Sequence, residues 1–283
     1  MDGLAALRVQ LDWGADEALE EAPVDRRGEP SARAGGGNGA PSPAAPSARP
    51  AVAVPAPVAP APLAPGAARP VAPAGTAVEQ ATLAAAAAAT LPALREAIAG
   101  FALCPLSATA ANLVFAAGPA DAPLLVIGEA PGDEDDREGA PFSGPSGAML
   151  DRMLASIGLD RAGILLAPLI PWRPPGGRSP SPAELAMCLP FLHRLIAMAR
   201  PRRIVLAGQM AARALLGPAG IRQSTRGTWQ ALRLPDAPPG QPAVPALAMA
   251  SPGFLRANPS ARRQAWADLR RLRRVLDADL TKT

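Results

Sequence analysis

The sequence predicts an α/β domain whose parallel sheet is covered by helices on both faces, preceded by a disordered Pro/Ala-rich linker. Three observations predict it. From Val78 onward, short apolar runs alternate with longer amphipathic segments, the order produced by strands joined through crossover helices. Each apolar run ends in a loop rich in Gly or Pro. Upstream the composition changes: proline makes up about a third of residues 41–73, which favours extended, weakly structured chain.

The elements follow in order. Residues 1–27 form an acidic segment in which Leu4, Leu7, Leu11 and Trp13 are spaced for a short helix; it reads equally as a docking element or a frayed terminus. Residues 28–77 are the linker, semi-extended in reach. Residues 78–283 are the folded domain. Glu79–Phe101 reads as helix, interrupted or restarted at Pro92. Leu124–Ile127 is the first strand. Ser146–Ile157 is helical, with Ser146 as N-cap. Ile164–Ile170 is the second strand. Pro182–Ala199 is a helix opened by a proline whose missing N–H is harmless there. Arg203–Ala207 is the third strand, followed by a Met210–Leu216 helix. Val244–Met249 is the fourth strand, and Ser260–Leu276 closes the chain as an arginine-rich helix.

Composition narrows the function. The 283 residues carry 36 Pro and 26 Gly but are 49% hydrophobic, which excludes a chain disordered throughout. No stretch approaches twenty strongly apolar residues, and the first residues lack a basic-then-apolar signal pattern, so a cytoplasmic protein without a membrane span is expected. Two cysteines do not make a disulfide framework. The formal charge of +4 is asymmetric: residues 1–30 hold eight acids and three arginines, leaving a basic remainder. With a pI near 10.2, that remainder suits a polyanionic partner, although arginine usage in a GC-rich genome accounts for it as well. A protein partner for residues 1–30 is also expected.

Ligands of an open parallel sheet bind beyond the carboxyl ends of its strands. The loops there are Gly128-Glu129-Ala130-Pro131-Gly132, then Pro171-Trp172-Arg173 through Arg178, then Gly208-Gln209, then Ser251-Pro252-Gly253-Phe254-Leu255-Arg256. Each alone is an ordinary strand-to-helix turn; four on one edge describe a preorganised pocket. Cys104–Arg274 resembles the family 4, iron–sulfur branch of the uracil-DNA glycosylase superfamily. The resemblance is carried by CPLSATAANLVFAAGPADAPLLVIGEAPGDEDD, GAPFSGPSGAMLDRMLASIGLDR, RPPGGRSPSPAELAMCLPFL, RPRRIVLAGQMAARALLG and SPGFLRANPSARRQAWADL. It implies a three-layer α/β/α fold with a four-stranded parallel sheet, and base excision from single- or double-stranded DNA in which a flipped base is hydrolysed from its sugar. Gly128, Glu129, Ala130, Pro131 and Gly132 then lie against sugar and base, and Phe142 is the stacking aromatic. Glu129 orients water or stabilises an oxocarbenium-like sugar. Arg173, Arg178 and Arg256 are candidates for phosphate contacts, whereas Asp133–Asp136 reads as a solvated acidic loop. The arginines of the last helix read as a solvated face or as a DNA contact.

Three departures from the family pattern stand out. The family holds a [4Fe–4S] cluster through four cysteines, but here the positions read Phe101, Cys104, Trp172 and Cys188. Two thiolates are too few for such a cluster, so no cofactor is expected, with Phe101 and Trp172 filling the volume and burying the remaining thiols. The loop histidine that hydrogen-bonds the departing base is Ser251, and His193, on the helix after Cys188, does not replace it. The asparagine that reads the uracil edge is Pro168, which removes a discriminating hydrogen bond. The expected function is therefore a uracil-DNA glycosylase-type hydrolase of weakened activity. The alternatives are a catalytically silent protein that binds DNA or damaged bases, and an interaction scaffold.

Overall fold

The computed structural model describes residues 74–218, 227–235, 237, 240 and 242–280. The acidic segment and almost all of the linker lie outside the described residues. The first helix, α1 (Ala74–Ala87), begins within the stretch read as linker. It is an alanine-rich helix in which Ala77, Ala81 and Ala85 recur every four residues and are buried together against the core. Thr90 caps the next helix, α2 (Leu91–Ala99), by accepting a hydrogen bond from Ala93 N, and Pro92 sits in its first turn.

The sheet is built from β1 (Leu124–Ile127), β2 (Leu165–Ala167), β3 (Arg203–Ala207), β4 (Trp229–Leu232) and β5 (Val244–Met249), in the spatial order β2-β1-β3-β5-β4. β1, β2, β3 and β5 run parallel, as expected from their continuous apolar sequences. β4 is an addition to the predicted sheet. It pairs antiparallel with β5 at the edge, and its mixed, half-exposed residues carry no strong strand pattern. β2 is shorter than the predicted Ile164–Ile170, because Pro168 has no N–H to continue the ladder.

Helices cover both faces. On one side α1, α2 and α5 (Pro182–Ala199) pack together, and α6 (Gln209–Leu216) joins the same apolar cluster. On the other side lie α4 (Gly144–Ala155), α7 (Pro252–Ala257) and α8 (Arg262–Leu280). α5 has the predicted bounds, set by a capping box between Ser181 and Glu184 and by Arg200 in the left-handed region. Its length and mean hydropathy of 1.2 are those of a short membrane-spanning helix, but Phe191, Leu192 and Leu195 bury it in the core. α4 starts earlier than predicted: its N-cap is Ser143, not Ser146, and Pro145 lies in its first turn.

The acidic run after β1 corrects the sequence reading. Residues Asp133–Glu138 form a short helix, α3, rather than a solvated loop. Asp136 is buried, and its Oδ1 accepts hydrogen bonds from Ala111 N at 2.9 Å and Asn112 N at 3.1 Å. Asp135 accepts from Gly132 N at 2.9 Å and Ser143 N at 2.7 Å, tying the loop after β1 to the start of α4. Carboxylates at a helix N-terminus also face its positive dipole end.

Candidate functional site

The chain leaves β1 at Gly128, whose N–H donates to Ala167 O at the end of β2. Glu129 follows. Its backbone carbonyl accepts from Leu169 N at 3.1 Å, and its Oε1 accepts from Met210 N at 3.1 Å, in the first turn of α6. The carboxylate thus bridges from β1 to the helix that leaves β3. Gly208 makes this possible: at φ 136° only glycine is at ease, and a Cβ there would stand 2.3 Å from Glu129 Cδ.

A cavity of about 220 Å³ opens beyond the carboxyl ends of β3 and β5 and reaches Glu129. Ser251 and Phe254 line it from the loop and helix after β5, and Gln264 and Asp268 line it from α8. Ser251 also caps α7, accepting from Phe254 N at 3.3 Å. Phe254 is 51% exposed and stands at the cavity as one of two exposed large hydrophobic side chains among the described residues.

The other predicted residues are placed differently. Phe142 does not line this cavity. Its ring packs on Gly128, where a Cβ would lie 2.8 Å from Phe142 Cζ. Phe142 has φ 56°, unusual for an aromatic residue. Arg161 Nη2 holds its carbonyl at 2.9 Å, and the missing side chain of Gly147 leaves room for that carbonyl. Arg173 Nη2 pairs with Asp133 at 2.5 Å. Arg178 grips Glu184 with both terminal nitrogens, at 2.9 and 2.6 Å. The Arg178 guanidinium beside it is the main reason the Glu184 carboxyl falls from 4.5 to about 2. The charges of Arg173 and Arg178 are thus matched by carboxylates of α3 and α5, while Arg256 is exposed on α7.

Sequence reasoning missed the role of α8. The residues read there as a solvated or DNA-facing arginine helix include a cavity-facing stripe at Ala261, Gln264, Ala265 and Asp268. The spacing of three and four was visible, but small and polar residues mark no apolar face. Phe254 lies within a motif that carries the resemblance, yet the motif gives it no role.

A profile described as the Uracil DNA glycosylase superfamily matches residues 115–270. The chain belongs to that superfamily. Among similar curated proteins of the superfamily are three named Type-4 uracil-DNA glycosylase. The one from Pyrobaculum aerophilum is 35% identical over 124 residues, covering 44% of this chain and 63% of the relative. That from Archaeoglobus fulgidus is 40% identical over 109 residues, covering 38% and 55%. That from Thermotoga maritima is 36% identical over 108 residues, covering 38% and 56%. The chain therefore spans less than two thirds of the length of these relatives.

The superfamily's iron–sulfur branch makes the region around the two cysteines informative. Cys104 and Cys188 are fully buried free thiols that hydrogen-bond to each other. That bond lowers the Cys104 thiol pKa, while the same bond and burial push the Cys188 thiol well up. Phe101 and Trp172 are buried in the same cluster, and Phe101 meets Phe191 edge-to-face with ring centroids 5.3 Å apart. The cavity beside Cys188 measures about 20 Å³, room for about one water. Two thiols, two large apolar side chains and so little space do not fit a four-iron cluster.

Proposed function

We propose that this protein is a DNA glycosylase-type hydrolase of weakened activity, which removes uracil or another damaged base from DNA. The observation that carries this reading is the anchored Glu129 carboxylate, held by Met210 N and seated on Gly208 at the edge of a base-sized cavity. A carboxylate so held orients a water, or faces the positive charge that grows on the sugar as the glycosidic bond lengthens. Its position costs no reorganisation at the moment of reaction. The Type-4 names of the similar proteins agree with this chemistry. DNA is the partner in this reading. Phe254, half exposed at the cavity, is suited to stack on an extruded or neighbouring base, and Arg256, Arg263, Arg270 and Arg274 are exposed cations on α7 and α8. The reading includes a protein that works without an iron–sulfur cluster, its place taken by the Phe101 and Trp172 packing, and that acts in the cytoplasm.

Weakened activity follows from two positions. Ser251 is short and uncharged, and its Oγ already serves as a helix cap. Pro168, at the end of β2, offers no hydrogen-bond donor to a base edge. Removal of one such donor ordinarily costs about a hundredfold or more in rate. The same two positions favour a second reading, a silent protein that binds DNA or damaged bases. A single-turnover assay on uracil-containing single-stranded and duplex DNA separates them. Slow excision abolished by Glu129→Ala is the result expected. Salt-sensitive binding with no excision overturns the hydrolase reading and leaves the silent one.

A further inference from the structure

The sheet-edge cavity has a chemical bias of its own. Its ionisable lining groups among the described residues are two carboxylates, Glu129 and Asp268, and no arginine, lysine or histidine joins them. Asp268 Oδ1 accepts from Gln264 Nε2 at 3.1 Å and from Arg271 Nη1 at 2.8 Å, so one amide N–H of Gln264 is directed at the wall. A carboxylate is acceptor-only when ionised. Asp268 is paired with Arg271, so Glu129 sets the charge of a lining whose other polar side chains are Gln209, Ser251 and Gln264; that carboxylate opposes the two carbonyl oxygens flanking uracil's N3–H and favours a base that brings more donors or positive charge. Size points the same way. A cavity of about 150 Å³ accommodates benzene, so about 220 Å³ suits a bicyclic ring. Phe254 adds an exposed aromatic face, which attracts cations.

We propose that the cavity takes a cationic, ring-alkylated purine in DNA, such as N7-methylguanine, in preference to uracil. This rests on the glycosylase reading and names its substrate class. The chemistry suits what residue 251 lacks. When uracil departs, negative charge builds on its carbonyl oxygen and calls for a donor there. When an N7-alkylated purine departs, the electron pair of the C1′–N9 bond flows into the ring and neutralises it. The oxygen of water bonds to C1′, and its proton passes to the Glu129 carboxylate and on to solvent. No oxyanion forms, so a serine at 251 is sufficient.

The test separates binding from cleavage. Oligonucleotide duplexes carry one 7-methyldeoxyguanosine, one deoxyuridine or no modification, with a 2′-fluoro sugar that blocks hydrolysis. Fluorescence anisotropy of the full chain should show the methylated duplex bound at least about tenfold more tightly than the uracil duplex. Gln264→Arg, at an exposed position, should erase that preference without unfolding the protein. Equal affinities, a preference for uracil, or no binding of any duplex overturns the proposal. Single-turnover release from the cleavable forms reports on the parent reading. A binding preference without release retains the ligand class and removes the hydrolase, whereas faster release of uracil retains the hydrolase and removes the ligand class.

Discussion

Glu184→Gln should destabilise the protein at neutral pH and hardly at all in strong acid. The carboxylate lies in the first turn of α5, is almost fully buried, and meets both terminal nitrogens of Arg178 while accepting from Ser181 N at 2.7 Å. Its pKa falls from an ordinary 4.5 to about 2 in the folded chain. Each tenfold step in proton affinity is worth about 1.4 kcal/mol, so the ionised form contributes at most about 3.4 kcal/mol. The Arg178 side chain is 46% exposed, and solvent screening reduces the figure to about 2 kcal/mol. Because the folded pKa is the lower one, this stability is complete above 4.5 and is lost as the pH falls towards 2. Urea unfolding of both proteins at pH 7 and pH 3 measures it. The gap should be about 2 kcal/mol at pH 7 and shrink by more than half at pH 3. A gap that is the same at both pH values would refute the assignment of this stability to the ionised pair.

Three further outcomes are expected. Gly128→Ala puts a methyl 2.8 Å from Phe142 Cζ; thermal unfolding should show a loss of about 1–3 kcal/mol, and base release should slow more than DNA binding weakens. Phe101→Ala empties a 6%-exposed core position and should cost about 3–5 kcal/mol in chemical denaturation, whereas a loss under 1 kcal/mol would show that the ring fills no needed volume. Ser251→His removes the cap on Phe254 N and should cost about 1 kcal/mol, while single-turnover release of uracil should accelerate; an unchanged rate would mean that residue 251 does not face the departing base.

The sheet was legible because LLVI and RIVLA are continuous apolar runs that only a doubly covered strand tolerates. α5 was legible from its ends, where Ser181, Pro182 and Glu184 write a capping box. β4 was not, since an edge strand needs one covered face and its pattern is diluted by Gln230 and Ala231. Nor was the buried state of Asp136 legible, because four consecutive acids look solvated until the amides of Ala111 and Asn112 arrive from another part of the chain. The site divided the same way. Glu129 was found from a local motif, but Asp268 and Gln264 reach the cavity only through the packing of α8 on the sheet.

The geometry also explains how the frame of the pocket stands independently of the side chains at residues 168 and 251. Glu129 is located by Met210 N, by Leu169 N and by the bare Gly208. Phe142 is located by Arg161 and by the bare Gly147. None of these contacts passes through Pro168 or the hydroxyl of Ser251, so chemistry at those two positions varies without moving the frame. These residues also serve the fold, since Ser251 caps α7 and Pro168 ends β2, and Phe101 and Trp172 likewise pack beside two thiols. Stability gained at each place is independent of whether a base is bound. Exposure of Phe254 brings little packing energy, which makes it the residue whose loss should separate a working site from a merely folded one.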